Sequence, residues 1–136
     1  MAFLNVNFFA VLAGAIIEMV LGFLWYGPFF SKPWMALQGW TEERMRGANP
    51  NPVIYVVPFV GALLTAYVLA LVIGAAGMGT LAGGLGMGLL AAIGFILPAF
   101  ASNYTFSSRP LKLFLIDAGY FVVAWVLIGA LLGIWR

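Results

Sequence analysis

Residues 6–26 read VNFFAVLAGAIIEMVLGFLWY, a run of 21 residues in which Glu18 is the only charge. As a helix, a run of this length crosses a hydrocarbon layer roughly 30 Å thick. An ionisable group inside it costs at least about 2.5 kcal/mol in lipid, so Glu18 is expected to face protein.

Three further apolar blocks of similar length follow, and the predicted helices cover residues 6–26, 53–76, 81–104 and 111–135. The 136-residue chain is 65% hydrophobic and only 7% charged. A soluble domain carries about 25% charged residues, so this chain cannot coat itself for water. The reading is an all-α membrane protein: one integral membrane domain, a compact bundle of four transmembrane helices. A short interfacial helical segment is expected in the first long loop. Residues 1–7 hold no Lys or Arg, so the first block should remain as a span and not be removed as a leader.

The loops set an expected orientation. Lys32, Arg44 and Arg46 lie between the first and second helices, and Arg109 and Lys112 between the third and fourth. The other side has only Arg136 and an uncharged turn near residues 77–80. The positive-inside rule puts both basic loops in the cytoplasm and both termini outside. In the first loop, Ser31-Lys32-Pro33 reads as a helix start leading into a short helix over 33–38. Thr41-Glu42-Glu43 reads as a second cap, and Asn49-Pro50-Asn51-Pro52 closes the loop. Trp25, Trp34, Trp40, Tyr104 and Trp135 are the expected interfacial anchors.

Several reaction classes drop out. The chain has no Cys and no His. This removes thiol nucleophiles, disulfides, imidazole bases and the common zinc and haem ligands. No catalytic motif, metal site or cofactor is expected, and the protein is not expected to be an enzyme. The net charge of +2 is too small and dispersed for nucleic-acid binding.

Small residues recur at four-residue spacing on three helices: Ala10, Gly14 and Gly22 flanking Glu18; Ala62, Ala66, Ala70 and Gly74; and Gly84, Gly88 and Ala92. Residues four apart share a helical face, and small ones let helices approach closely in lipid. Glu18 should therefore point into the bundle or a subunit interface. Asp117, six residues into the fourth helix, is expected at a similar depth, with Tyr120 one turn deeper and Asn103 and Tyr104 on the same side. Pro58 and Pro98 fall in that half as well. The expectation is a tight outer half and a polar cavity opening toward the cytoplasm. Two adjacent acids would share a proton and suit a proton relay or a site for a cation or amine. In the alternative, Glu18 stays protonated and bonds a backbone carbonyl or Asn103, and Asp117 is tied to Lys112 or Arg109, or to a neighbouring helix end.

The stretches Leu21-Gly22-Phe23-Leu24-Trp25-Tyr26-Gly27-Pro28, Gly39-Trp40-Thr41-Glu42-Glu43 and Arg109-Pro110-Leu111-Lys112-Leu113-Phe114-Leu115-Ile116-Asp117-Ala118-Gly119-Tyr120 carry a resemblance over nearly the whole chain. They look like the bacterial family called domain of unknown function 1761. The resemblance implies a small four-span protein of the bacterial inner membrane and brings no activity with it. The functional expectation is a homo-oligomeric transport or permeation protein, with Glu18 central, Asp117 its helper, and a small-molecule or lipid ligand. The alternative is a non-catalytic scaffold or accessory subunit that uses the loop and its Trp residues as a contact surface.

Overall fold

The computed structural model describes residues 4–47 and 51–136. Among them the chain is helix and loop with no strand. Four helices are long and apolar enough to cross a membrane: α1 (Phe8–Phe29), α4 (Val53–Ala75), α5 (Leu81–Phe106) and α6 (Leu111–Ile134). Two short helices, α2 (Ser31–Leu37) and α3 (Glu42–Gly47), lie in the loop between α1 and α4. One end of the bundle carries this loop and the α5–α6 loop and is called the basic end; the other carries both termini. The Asn49-Pro50 part of the expected closing turn lies outside the described residues.

Local chemistry explains the helix limits. Asn7 caps α1, its Oδ1 accepting from the N–H of Phe9 (3.0 Å) and of Ala10 (3.2 Å). The first helix does not stop at Gly27-Pro28 as its composition suggests. It widens into a π-turn over Trp25–Phe29, and the Phe30 N–H donates to the Trp25 carbonyl at 2.9 Å. Proline lacks an N–H and crowds the carbonyl one turn back, and the wider turn accommodates both effects. A second π-turn, Ala92–Ile96, precedes Pro98 in α5. Helix α2 begins at Ser31 itself, with Phe30 in the cap position and no side-chain cap, so Ser31 is not the cap. Thr41 does cap α3, accepting from the Arg44 N–H at 3.2 Å. Gly77, at φ +68, turns the chain from α4 toward α5, where Thr80 accepts from the Gly83 N–H at 2.9 Å.

Packing is tightest between α5 and α6, where backbones touch. A Cβ on Gly84 would overlap the Gly129 carbonyl, and one on Gly88 the Trp125 carbonyl. A Cβ on Gly133 would overlap the Thr80 carbonyl. In lipid, where side chains gain nothing by leaving water, such close van der Waals approach is what joins helices. Helices α1 and α4 meet through Ala10, Gly14, Ala62, Ala66 and Ala70; a Cβ on Gly14 would lie 3.4 Å from that of Ala66. A core of Ala10, Val11, Ala66, Leu69, Ala70, Ile73, Ile128 and Leu132 fills the half nearer the termini. Toward the basic end α4 leaves the bundle. Val53 through Pro58 are exposed in succession, and Tyr55 keeps a ring contact with Phe23 of α1 at 6.1 Å.

Candidate functional site

Two hydrogen bonds set the register of α1 against α6. The Trp25 Nε1–H donates to the Ile116 carbonyl (2.9 Å), and the Tyr26 hydroxyl donates to Asp117 Oδ1 (2.7 Å). The helices run antiparallel, so each step back along α1 is a step forward along α6. Eight residues back from Tyr26 is Glu18, and eight forward from Asp117 is Trp125. At 1.5 Å per residue the two acids are separated by roughly 12 Å along the bundle. They do not share a depth and do not form a pair. The π-turn accounts for part of this: because α1 continues past Pro28, Glu18 lies about 16 Å from its end at Phe29, near the middle of the span, and the register set by Trp25 and Tyr26 accounts for the rest.

The tier at the basic end is built on Asp117. One carboxyl oxygen accepts from Tyr26 of α1, and the other from the Tyr104 hydroxyl of α5. Three spans are thereby joined through one side chain. Neither Arg109 nor Lys112 takes that place. The Arg109 guanidinium lies 4.2 Å above the Tyr104 ring, near enough for a cation–π contact. Asn103 Oδ1 (2.8 Å) and Ser107 Oγ (3.1 Å) accept from the same guanidinium. Asn103 is exposed and serves Arg109, so it is no partner of Glu18.

Aromatic rings close this tier. Tyr26 meets Trp34 edge-on at 5.3 Å and Tyr120 at 5.5 Å, and Trp34 meets Trp40 at 5.1 Å. The loop helix α2 thus folds back over the acid. Two expected anchors are corrected here. Trp25 is turned inward onto α6, with its indole N–H spent on Ile116, and Tyr104 is buried at 8% exposure. Trp34 and Trp40 are half-buried against each other, while Trp135 is exposed at the opposite end.

The second tier is at mid-span. Glu18 is 4% exposed, the one buried charged side chain among the described residues. It is shut in, not open to one side. The Tyr120 hydroxyl donates to the backbone carbonyl of Glu18 (2.7 Å) and leaves its carboxyl free. Gly22 makes room for that hydroxyl, which would lie 3.1 Å from an added Cβ. The Trp125 indole lies beside the carboxyl, but the approach falls short of hydrogen-bond geometry and its Nε1 is buried without a partner. Residue spacing alone overlooked Trp125 and Tyr26. A Trp well inside a span, away from the interfacial belts, was the available signal.

The cavity expected in the polar half lies elsewhere. A cavity of about 460 Å³ runs between α4 and α5, lined among others by Leu64, Val68, Leu90, Phe95 and Trp125. Its walls are apolar, and it sits from mid-span toward the termini. Of the groups expected to line a polar opening, Asp117, Tyr104 and Tyr120 are instead packed among aromatic side chains, while Asn103 and Pro58 are exposed.

The chain belongs to the family described as Protein of unknown function (DUF1761), whose family model matches residues 9–133. Comparison with curated proteins and comparison with solved structures each gave no match.

Proposed function

We propose that this chain is a small homo-oligomeric transport or permeation protein with Glu18 as its intramembrane acid. The observation that carries this reading is the mid-span burial of Glu18 with no cation to balance it. Every Lys and Arg of the chain lies in a loop or at a span end. A charge-bearing group so placed costs at least about 2.5 kcal/mol, while an apolar residue would pack there without that cost. Asp117 is the second acid, nearer the end where protons or cations would enter. The proposed setting is a bacterial inner membrane, with the basic loops in the cytoplasm and both termini outside. Within one copy the core packs the half nearer the termini and the cavity opens sideways between α4 and α5 without running from one end of the bundle to the other, so the route is proposed to form with neighbouring copies. No catalysis is proposed.

The test is proton flux in proteoliposomes under an imposed pH gradient, read with an entrapped pH dye. Wild type is expected to carry flux, Glu18→Gln to lose it by tenfold or more, and Asp117→Asn to keep part of it. Wild-type vesicles no leakier than protein-free ones would favour a scaffold, a role for which the fully engaged Asp117 suits the basic tier.

A further inference from the structure

The cavity between α4 and α5 opens through the side of the bundle. Its rim residues Leu64 (62%), Leu90 (65%) and Phe95 (72%) are strongly exposed, so a solute dissolved in the bilayer reaches it without crossing the basic end. Its volume of about 460 Å³ falls in the ordinary range of small-molecule pockets. Trp125 belongs to two places at once. It lines this groove, and it neighbours the Glu18 carboxyl. Its Nε1–H is buried and makes no hydrogen bond, so the indole has a polar atom still unspent beside the acid. Thr65 adds one hydroxyl to an otherwise apolar wall.

These features select a chemistry. Apolar walls alone would take any acyl chain. An indole beside an unbalanced carboxyl adds a preference for positive charge, because a cation near the ring meets its negative face and the acid behind it. In a low-dielectric interior that attraction is felt over several ångströms. We infer that the α4–α5 groove is a binding site for a lipophilic organic cation, entered from the bilayer and held over Trp125 by the field of Glu18. This rests on the transport reading and adds the substrate class and the route of entry.

The experiment is calorimetric titration of the full-length chain in detergent micelles with tetraphenylphosphonium, and with tetraphenylborate as the anion of the same shape. The phosphonium is expected to bind at least tenfold more tightly than the borate. Glu18→Gln should abolish that difference, and Glu18→Asp should retain it. Gly94→Leu should weaken phosphonium binding at least tenfold, since an added side chain there projects into open space on the groove wall and meets no neighbour within 4 Å. Equal binding of the two ions, or phosphonium binding untouched by both Glu18→Gln and Gly94→Leu, overturns the inference. Binding and flux are read separately. Proton flux without cation binding removes this inference and leaves the transport reading, while cation binding without proton flux does the reverse.

Discussion

Asp117 holds three spans through two tyrosine hydroxyls, and its worth depends on keeping both. A hydrogen bond to a charged group contributes about 1.5–3 kcal/mol, and a carboxyl left buried and unsatisfied costs more than the bond it lost. Tyr26→Phe and Tyr104→Phe are each expected to lower the melting temperature in detergent. The double variant should lose more than the two single losses combined; strict additivity would show that water replaces the hydroxyls. A second residue-scale expectation concerns Gly22. Gly22→Ala presses its methyl against the Tyr120 hydroxyl and should cost about 1–3 kcal/mol. Adding Tyr120→Phe should recover part of that loss, which a double-mutant cycle on thermal unfolding measures. Glu18 was legible as a protein-facing acid because a lone charge in an apolar run has few other solutions. The partners of Asp117 were not, because tyrosines near span ends are expected at any membrane boundary. Their role here depends on a register that no local pattern encodes.

At the scale of helices, the contact between α5 and α6 is made by main chain in the half nearer the termini. Gly88→Ala and Gly129→Ala each drive a methyl into a backbone that cannot yield as a side-chain tip can, and are expected to deplete folded protein. Gly61→Ala and Gly86→Ala, where nothing lies within 4 Å, should be neutral or stabilising, since alanine favours helix by roughly 1 kcal/mol over glycine. Monodisperse yield after detergent extraction reads both pairs. The stripes on α1, α4 and α5 could be read from four-residue spacing. The matching pair on α6, Gly129 and Gly133, passed unnoticed although it has the same spacing, because it lies among larger residues. The continuation of α1 past Pro28 was not legible for a physical reason. Proline forbids the ordinary turn, and whether a chain then ends its helix or widens it depends on what its flanks can bind. Here Trp25 and Tyr26 bind α6 and the helix continues.

For the molecule as a whole, four crossings put the α1–α4 loop and the α5–α6 loop on one side. The chain has no native cysteine, so single introduced thiols report sidedness cleanly. Ala36→Cys and Ser107→Cys are expected to react with an impermeant maleimide only after the cytoplasmic face is exposed, and Met78→Cys in intact cells. The reverse pattern would invert the orientation. Composition alone made the four-span architecture legible, because 65% hydrophobic residues in blocks of span length admit no soluble core. The division of labour between the halves was legible only in part. In the half nearer the termini small residues lie at close helix contacts, while the polar half is closed by aromatic side chains whose stacking depends on tertiary geometry. The main-chain seam of α5 and α6 also decides what can move. Along the glycine seam, residues 80–88 against 125–133, the two helices meet without intervening side chains, so that stretch has no rotamers to exchange and acts as a fixed plate. Trp25, Tyr26 and the Glu18 carbonyl bind α1 to α6 as well, which leaves α4, with its exposed stretch ahead of Pro58, as the span with the most freedom to swing away from the acid.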